Sequence, residues 1–142
     1  MPKMIFVNLP VIDLPRSTDF YQAIGARRDE RFCDETASCM VLSDTIFVML
    51  LTHEKFGQFT PKKITDAWKE TEVLLCVSEE SRAGVDATVE KALAAGAKEP
   101  RAPQDFGFMY NRSFEDLDGH IWEIVWMDVE AAMAGGLEQI QS

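Results

Sequence analysis

Basic residues are scarce: 14 lysines and arginines stand against 24 acidic side chains, for a formal charge of −10 at pH 7. That surplus repels phosphates at long range, so neither nucleic acid nor an anionic membrane surface is an expected partner. Long apolar runs are missing too, and none approaches the ~18 residues a membrane span needs. Cysteine is sparse and odd in number. Cys33, Cys39 and Cys76 fit no CxxC or zinc spacing, which predicts free buried thiols. The opening Met1-Pro2-Lys3-Met4-Ile5-Phe6-Val7 lacks the longer apolar stretch and cleavage site of a signal peptide. A cytoplasmic protein is the expectation. No P-loop, GxGxxG or nucleophile elbow is found.

What is there is 142 residues of globular composition, 46% hydrophobic and 27% charged, enough for one domain or two small halves sharing a core. Two segments read as one unit written twice. The first, residues 4–52, opens with a strand at Ile5–Val11. Asp13 is a candidate N-cap, Pro15 suits a first helical turn, and Leu14, Phe20 or Tyr21 and Ile24 recur at helical spacing up to Gly25. Strands at Ser38–Leu42 and Thr45–Leu51 follow.

The second segment, residues 71–128, opens with a strand at Glu72–Val77. Ser78 is read as the cap of a helix with Val85, Val89 and Leu93 on one stripe, closed by Gly96. A strand around Phe108–Phe114, the turn Leu117-Asp118-Gly119 and a strand at Ile121–Met127 complete it. Each half reads βαβββ. Residues 53–70 form a linker in which Ile64, Ala67 and Trp68 suggest a helical turn or two, and 129–142 a tail with a short helix broken at Gly135-Gly136.

A βαβββ unit covers one sheet face with its helix and leaves the other open. The fold class that follows is α+β, with two tandem modules whose uncovered strand faces wall an open curved trough. Alternation along each strand assigns the rows. Phe6, Asn8 and Pro10 form the open row of the first strand; Glu72, Leu74 and Cys76 form that of the second module. In the last strand Ile121, Glu123 and Val125 share a row opposite His120, Trp122, Ile124 and Trp126. Glu123 has apolar neighbours on both sides, and a buried carboxylate costs several kcal/mol unless paired, hydrogen-bonded or metal-bound. It calls for a partner.

Two stretches resemble the glyoxalase/bleomycin resistance/extradiol dioxygenase superfamily, the vicinal oxygen chelate proteins. Val11-Ile12-Asp13-Leu14-Pro15-Arg16-Ser17-Thr18-Asp19-Phe20-Tyr21 is similar to that family's strand-to-helix opening. Phe114-Glu115-Asp116-Leu117-Asp118-Gly119-His120-Ile121-Trp122-Glu123-Ile124 is similar to its closing DPDG…E turn and strand. The likeness spans residues 4 to about 128 and is specific for fold rather than reaction, because the superfamily includes lyases, isomerases, dioxygenases and drug binders.

The resemblance implies four metal-ligand positions. The first falls on Phe6 and the second on Val48 or Met49, none of them a hard-metal ligand. The third and fourth fall on Glu72 and Glu123. Laying Val11 over Val77 puts Phe6 over Glu72, and laying Ile46 over Ile121 puts Val48 over Glu123. Two carboxylates make an incomplete site for Zn²⁺, Ni²⁺ or Fe²⁺; they suit a hard divalent ion with several waters, or a shared proton.

Two readings stay open. In one the protein is an enzyme, a lyase or dioxygenase in which Glu123, alone or with Glu72 and a divalent metal, acts on a small oxygenated substrate near Tyr110. In the other it sequesters a small apolar or planar compound without metal or catalysis. Phe6, Asn8, Val48 and Arg112 are the expected substrate contacts, with Arg112 pairing with Glu72 or Glu123 or gripping an anion. His120 reads as a structural histidine at the turn, and His53 is fixed by nothing. The expected partners are a small-molecule ligand and a second copy in a homodimer.

Overall fold

A computed structural model describes residues 2–136 and divides the chain into two compact units. One is the chain through Thr71 with Leu117–His120; the other is Glu72–Asp116 with the chain from Ile121 on. Each unit carries a four-stranded mixed sheet, open rather than closed into a barrel, and the class is α+β.

In the first unit, β1 (Ile5–Val11) runs parallel to β4 (Ile46–Thr52), which pairs antiparallel with β3 (Ala37–Val41) and through it with the two-residue β2 (Arg27–Arg28). Helix α1 (Leu14–Ala23) starts where Asp13 accepts from the Arg16 N–H, with Pro15 in the first turn, where no N–H is missed. It packs on β3 and β4. Leu9, Val11, Met40, Val48 and Leu50 fill the space beneath it, together with Phe20 and Tyr21, all nearly inaccessible. The buried Thr18 hydroxyl is satisfied on both sides: it donates to the Leu14 carbonyl at 2.8 Å and accepts from the Ser38 hydroxyl at 2.8 Å.

The second unit repeats the plan. β5 (Leu75–Ser78) runs parallel to β8 (Ile121–Met127), which pairs antiparallel with β7 (Met109–Glu115), and that with the two-residue β6 (Gln104–Asp105). Helix α3 (Arg82–Ala94) packs on β7 and β8 through Val85, Val89 and Ala92, each with no exposed surface. At ~1.5–3 kcal/mol for each fully buried valine, this stripe fixes which sheet face is covered. The covered row is Trp122 and Ile124 of β8 and Phe114 and Arg112 of β7, all buried.

Several sequence expectations shift. The β5 strand begins at Leu75 rather than Glu72, and Ser81 rather than Ser78 caps α3, its hydroxyl accepting from the Gly84 N–H. The linker helix α2 is at His53–Gly57, where Thr52 caps it; Ala67–Lys69 is only a turn. After α4 (Val129–Ala131) the helical path continues in wider turns to Gly136, and the expected break at Gly135-Gly136 falls at the end of the described residues, 137–142 lying outside them. Of the three free thiols only Cys39 is buried; Cys76 is exposed.

The β7–β8 turn belongs to the first unit. Asp118 accepts from the Ile12 N–H at 2.9 Å and from the Ser17 hydroxyl at 3.1 Å. His120 Nε2 donates to the Pro10 carbonyl at 2.8 Å, since a carbonyl can only accept. Gly119, at φ +88°, lies so close to Trp68 that an added Cβ would sit 2.8 Å from its ring and 2.9 Å from its backbone nitrogen.

Candidate functional site

The open face of the second sheet follows from register. Glu123 pairs with Cys76 on one side and Ser113 on the other, so the three side chains share a row. Val125 pairs with Asn111 and Met127 with Met109 on the same face, and Asn111 pairs with Gln104 of β6. Glu123 is thus where alternation put it, on the face α3 leaves uncovered, and it is half-buried.

Its partner is Asn111, whose Nδ2 donates to Glu123 Oε2 at 2.9 Å. No donor among the described residues reaches Oε1. Burial and, after it, the Glu123 carboxylate opposite push the Cys76 thiol above its ordinary value. Ser113 Oγ is buried, the residue being 3% exposed, and has no hydrogen-bond partner among the described residues. Asn111, Ser113 and Glu123, but not Cys76, line a shallow depression open to solvent, with Arg101, Ala102 and Gln104; Arg112 also borders it.

Tyr110 and Arg112 belong to the opposite row, and their expected roles beside Glu123 are corrected. The Tyr110 hydroxyl donates to Asp86 Oδ1 at 2.7 Å. That bond to a carboxylate, with burial, raises the phenol's pKa. Arg112 donates to Glu99 from Nε at 2.9 Å, to Asp86 from Nη1 at 2.9 Å and to Glu90 from Nη2 at 3.0 Å. Three carboxylates hold this buried guanidinium, and neither Glu72 nor Glu123 is among them. The Tyr110 hydroxyl, and after it Arg112, keep the Asp86 carboxyl below its usual range. This cluster fastens α3 to β7.

Glu72 is exposed and precedes β5 by three residues. Cys76 is the residue opposite Glu123, and Glu72, four residues earlier at a bend outside β5, has no place in that ladder.

In the first unit Phe6 is on the open face as expected, half-exposed and stacked on Phe47 with ring centroids 4.8 Å apart. Asn8 is exposed in the same row, its amide 3.4 Å from the Phe6 carbonyl. Val48 is not there: it is wholly buried beneath α1, and a ligand contact by its side chain is ruled out. The ladders correct the internal alignment too. Arg27 pairs with Val41 and Val41 with Phe47, as Lys98 pairs with Glu115 and Glu115 with Ile121. Counting on, Met49 is the counterpart of Glu123 and Asn8 that of Cys76, so Leu74, not Glu72, matches Phe6.

These residues do not fit a divalent metal. Among the described residues near Glu123, Cys76 is the one further His, Cys or carboxylate ligand, a soft sulfur beside a hard oxygen, and Zn²⁺, Ni²⁺ or Fe²⁺ takes three or four such protein ligands. Met49 and Asn8, the counterparts in the first unit, do not supply a matching set. Among the described residues no group of three or more His, Cys, Asp or Glu could hold an ion. No helix among them is long and apolar enough to cross a membrane.

Sequence asked for a partner for Glu123 but missed Asn111, Ser113 and Gln104. The signal was the turn: with Glu115 opposite Ile121, counting back along the hairpin puts Ser113 beside Glu123 and Asn111 one step beyond.

A family model described as Glyoxalase/Bleomycin resistance protein/Dioxygenase superfamily matches residues 3–124. No curated protein matches the chain. Among solved structures, a hypothetical protein from S. aureus is similar at 24% identity and TM-score 0.74, over 89% of this chain and 94% of its own. A glyoxalase/bleomycin resistance protein/dioxygenase family enzyme from Burkholderia phytofirmans is similar at 20% identity and TM-score 0.73, over 89% and 99%. The fosfomycin resistance protein FosX from Mesorhizobium loti is similar at 16% identity and TM-score 0.68, over 94% and 98%. At these identities the likeness to solved structures is one of fold.

Proposed function

The chain belongs to the glyoxalase/bleomycin resistance/dioxygenase superfamily, and from that premise we propose that it binds a small molecule on the uncovered face of its second sheet, with Glu123 as polar anchor and no metal ion between them. The observation that carries this reading is Glu123 itself. It is half-buried on the open face, one oxygen accepts from Asn111 at 2.9 Å, and the other meets no protein donor among the described residues. A carboxylate so placed costs free energy until a donor approaches it. A ligand supplies that donor, while Val125 and the exposed Cys76 offer softer surface for its body. The fold shared with a fosfomycin resistance protein agrees with a small-molecule ligand.

A second reading is favoured by the same free oxygen. Glu123 Oε1 is an acceptor with open lone pairs, the requirement for a general base that removes a proton next to a carbonyl in a lyase or isomerase step. Tyr110 takes no part in it. In either reading the protein is taken as a cytoplasmic homodimer, on its cysteine usage and on the habit the family resemblance implies.

The test is a thermal-shift screen of metal-stripped protein against small oxygenated and planar apolar compounds. The proposal expects stabilising compounds whose effect is lost in Glu123→Gln. Binding that appears only after Ni²⁺, Mn²⁺ or Zn²⁺ is restored would refute it.

A further inference from the structure

We propose that the depression beside Glu123 is a cradle for the primary ammonium group of a small amino carboxylate; this rests on the reading of the open face as a ligand surface and names the ligand's chemistry. Three acceptors line the depression. Glu123 Oε1 is one. Asn111 commits its Nδ2 to Glu123, because a carboxylate can only accept, and so keeps Oδ1 as the second. Ser113 Oγ is the third, buried and without a partner among the described residues. A buried hydroxyl that no protein group meets is costly unless a water or a ligand's donor reaches it.

An alkylammonium has three N–H donors and one positive charge, which matches three acceptors bearing one negative charge. A neutral hydroxyl offers a single donor and leaves the charge uncompensated. At the rim Arg101 is exposed and makes no ion pair among the described residues. Its guanidinium repels a lone amine but attracts the far end of a molecule that carries a carboxylate as well. The enclosed part of the depression has room for about one water-sized group, so it takes the ammonium head alone and leaves the rest of the molecule at the open rim.

The experiment is a ¹H–¹⁵N spectral titration of metal-stripped protein with ethylammonium, acetate and β-alanine. The Asn111 side-chain amide and the Ser113 backbone signal move with both amines and not with acetate, and β-alanine binds severalfold more tightly than ethylammonium. Glu123→Gln weakens both amines by roughly tenfold, the scale of one lost charge-assisted hydrogen bond. Arg101→Gln removes only the advantage of β-alanine. Ser113→Ala, which the fold tolerates because that hydroxyl bonds to none of the described residues, weakens both modestly. Equal amine affinity in wild type and Glu123→Gln would mean diffuse attraction to an acidic protein and would overturn the proposal. If no amine moves these signals but a compound from the thermal screen does, the ammonium site fails and the binding reading stands. If nothing moves them, both fail.

Discussion

Replacing Gly119 with alanine isolates the contact that anchors the β7–β8 turn. Two costs separate. The first is conformational: Gly119 has φ +88°, where a residue with a Cβ loses ~1–2 kcal/mol. The second is steric, because the new Cβ would lie 2.8 Å from Trp68 Cδ2, 2.9 Å from Trp68 N and 3.0 Å from Ala67 C. Two of those neighbours are backbone and cannot swing aside, so overpacking adds ~1–3 kcal/mol. Gly25 is the control: its φ is +109° and an added Cβ would meet nothing within 4 Å, so Gly25→Ala carries the first cost alone. Urea unfolding of both variants is the assay, with midpoints compared at equal slope. Gly119→Ala should lose ~1–3 kcal/mol more than Gly25→Ala, which for a chain of this size is roughly 3–12 °C in melting temperature. Equal losses would refute the close approach of Trp68.

Three further outcomes follow from the carboxylates around Arg112 and Arg31 and from the thiol opposite Glu123. Arg112→Leu leaves Asp86, Glu90 and Glu99 facing one another without their shared cation; it should destabilise by about 3 kcal/mol, the low end for a broken buried pair because Asp86 and Glu90 are half-exposed or more, as read by chemical denaturation. The Tyr110 hydroxyl, then Arg112, depress the Asp86 pKa, and the Arg31 side chain lowers that of Asp29 from 3.8 to about 2. A depressed carboxyl stabilises fully above its unfolded pKa and loses that contribution as pH falls through the folded one, so stability should decline from about pH 4 toward pH 2 and the Asp86→Asn, Asp29→Asn double variant should flatten that decline. Cys76 is exposed, yet burial of its sulfur and the Glu123 charge raise its pKa. Glu123→Gln should therefore speed its alkylation by iodoacetamide at pH 8, where an unchanged rate would place the carboxylate away from the thiol.

The repeat was legible because its punctuation is chemical. Gly25 and Gly96 both take φ +109° just past a helix, and Ile24-Gly25-Ala26 and Ala95-Gly96-Ala97 announce the two ends in the sequence. The Asp13 cap and the alternation of β8 were equally readable, and that alternation put Glu123 on the open face. Two-residue strands such as Arg27–Arg28 and Gln104–Asp105 have no period to detect, and the polar His53–Gly57 helix has no apolar stripe. The site was half legible for a different reason. Alternation tells which residues of one strand share a face, but only register tells which residues of the next strand join them. Tyr110 and Arg112 look adjacent to the site in sequence but belong to the opposite row and give their polar groups to Asp86, Glu90 and Glu99, whereas Asn111 between them reaches Glu123. The same one-residue ambiguity exchanged Met49 for Val48, which is sealed beneath α1.

The central claim is that the surface around Glu123 receives a ligand without help from a metal. Its most direct test is a chemical-shift map of metal-stripped protein with the best compound from the thermal screen. The account predicts displaced signals for Cys76, Asn111, Ser113 and Glu123, unchanged by later addition of Zn²⁺. Displacements confined to other parts of the chain, or arising at those four residues only once Zn²⁺ is present, would contradict it.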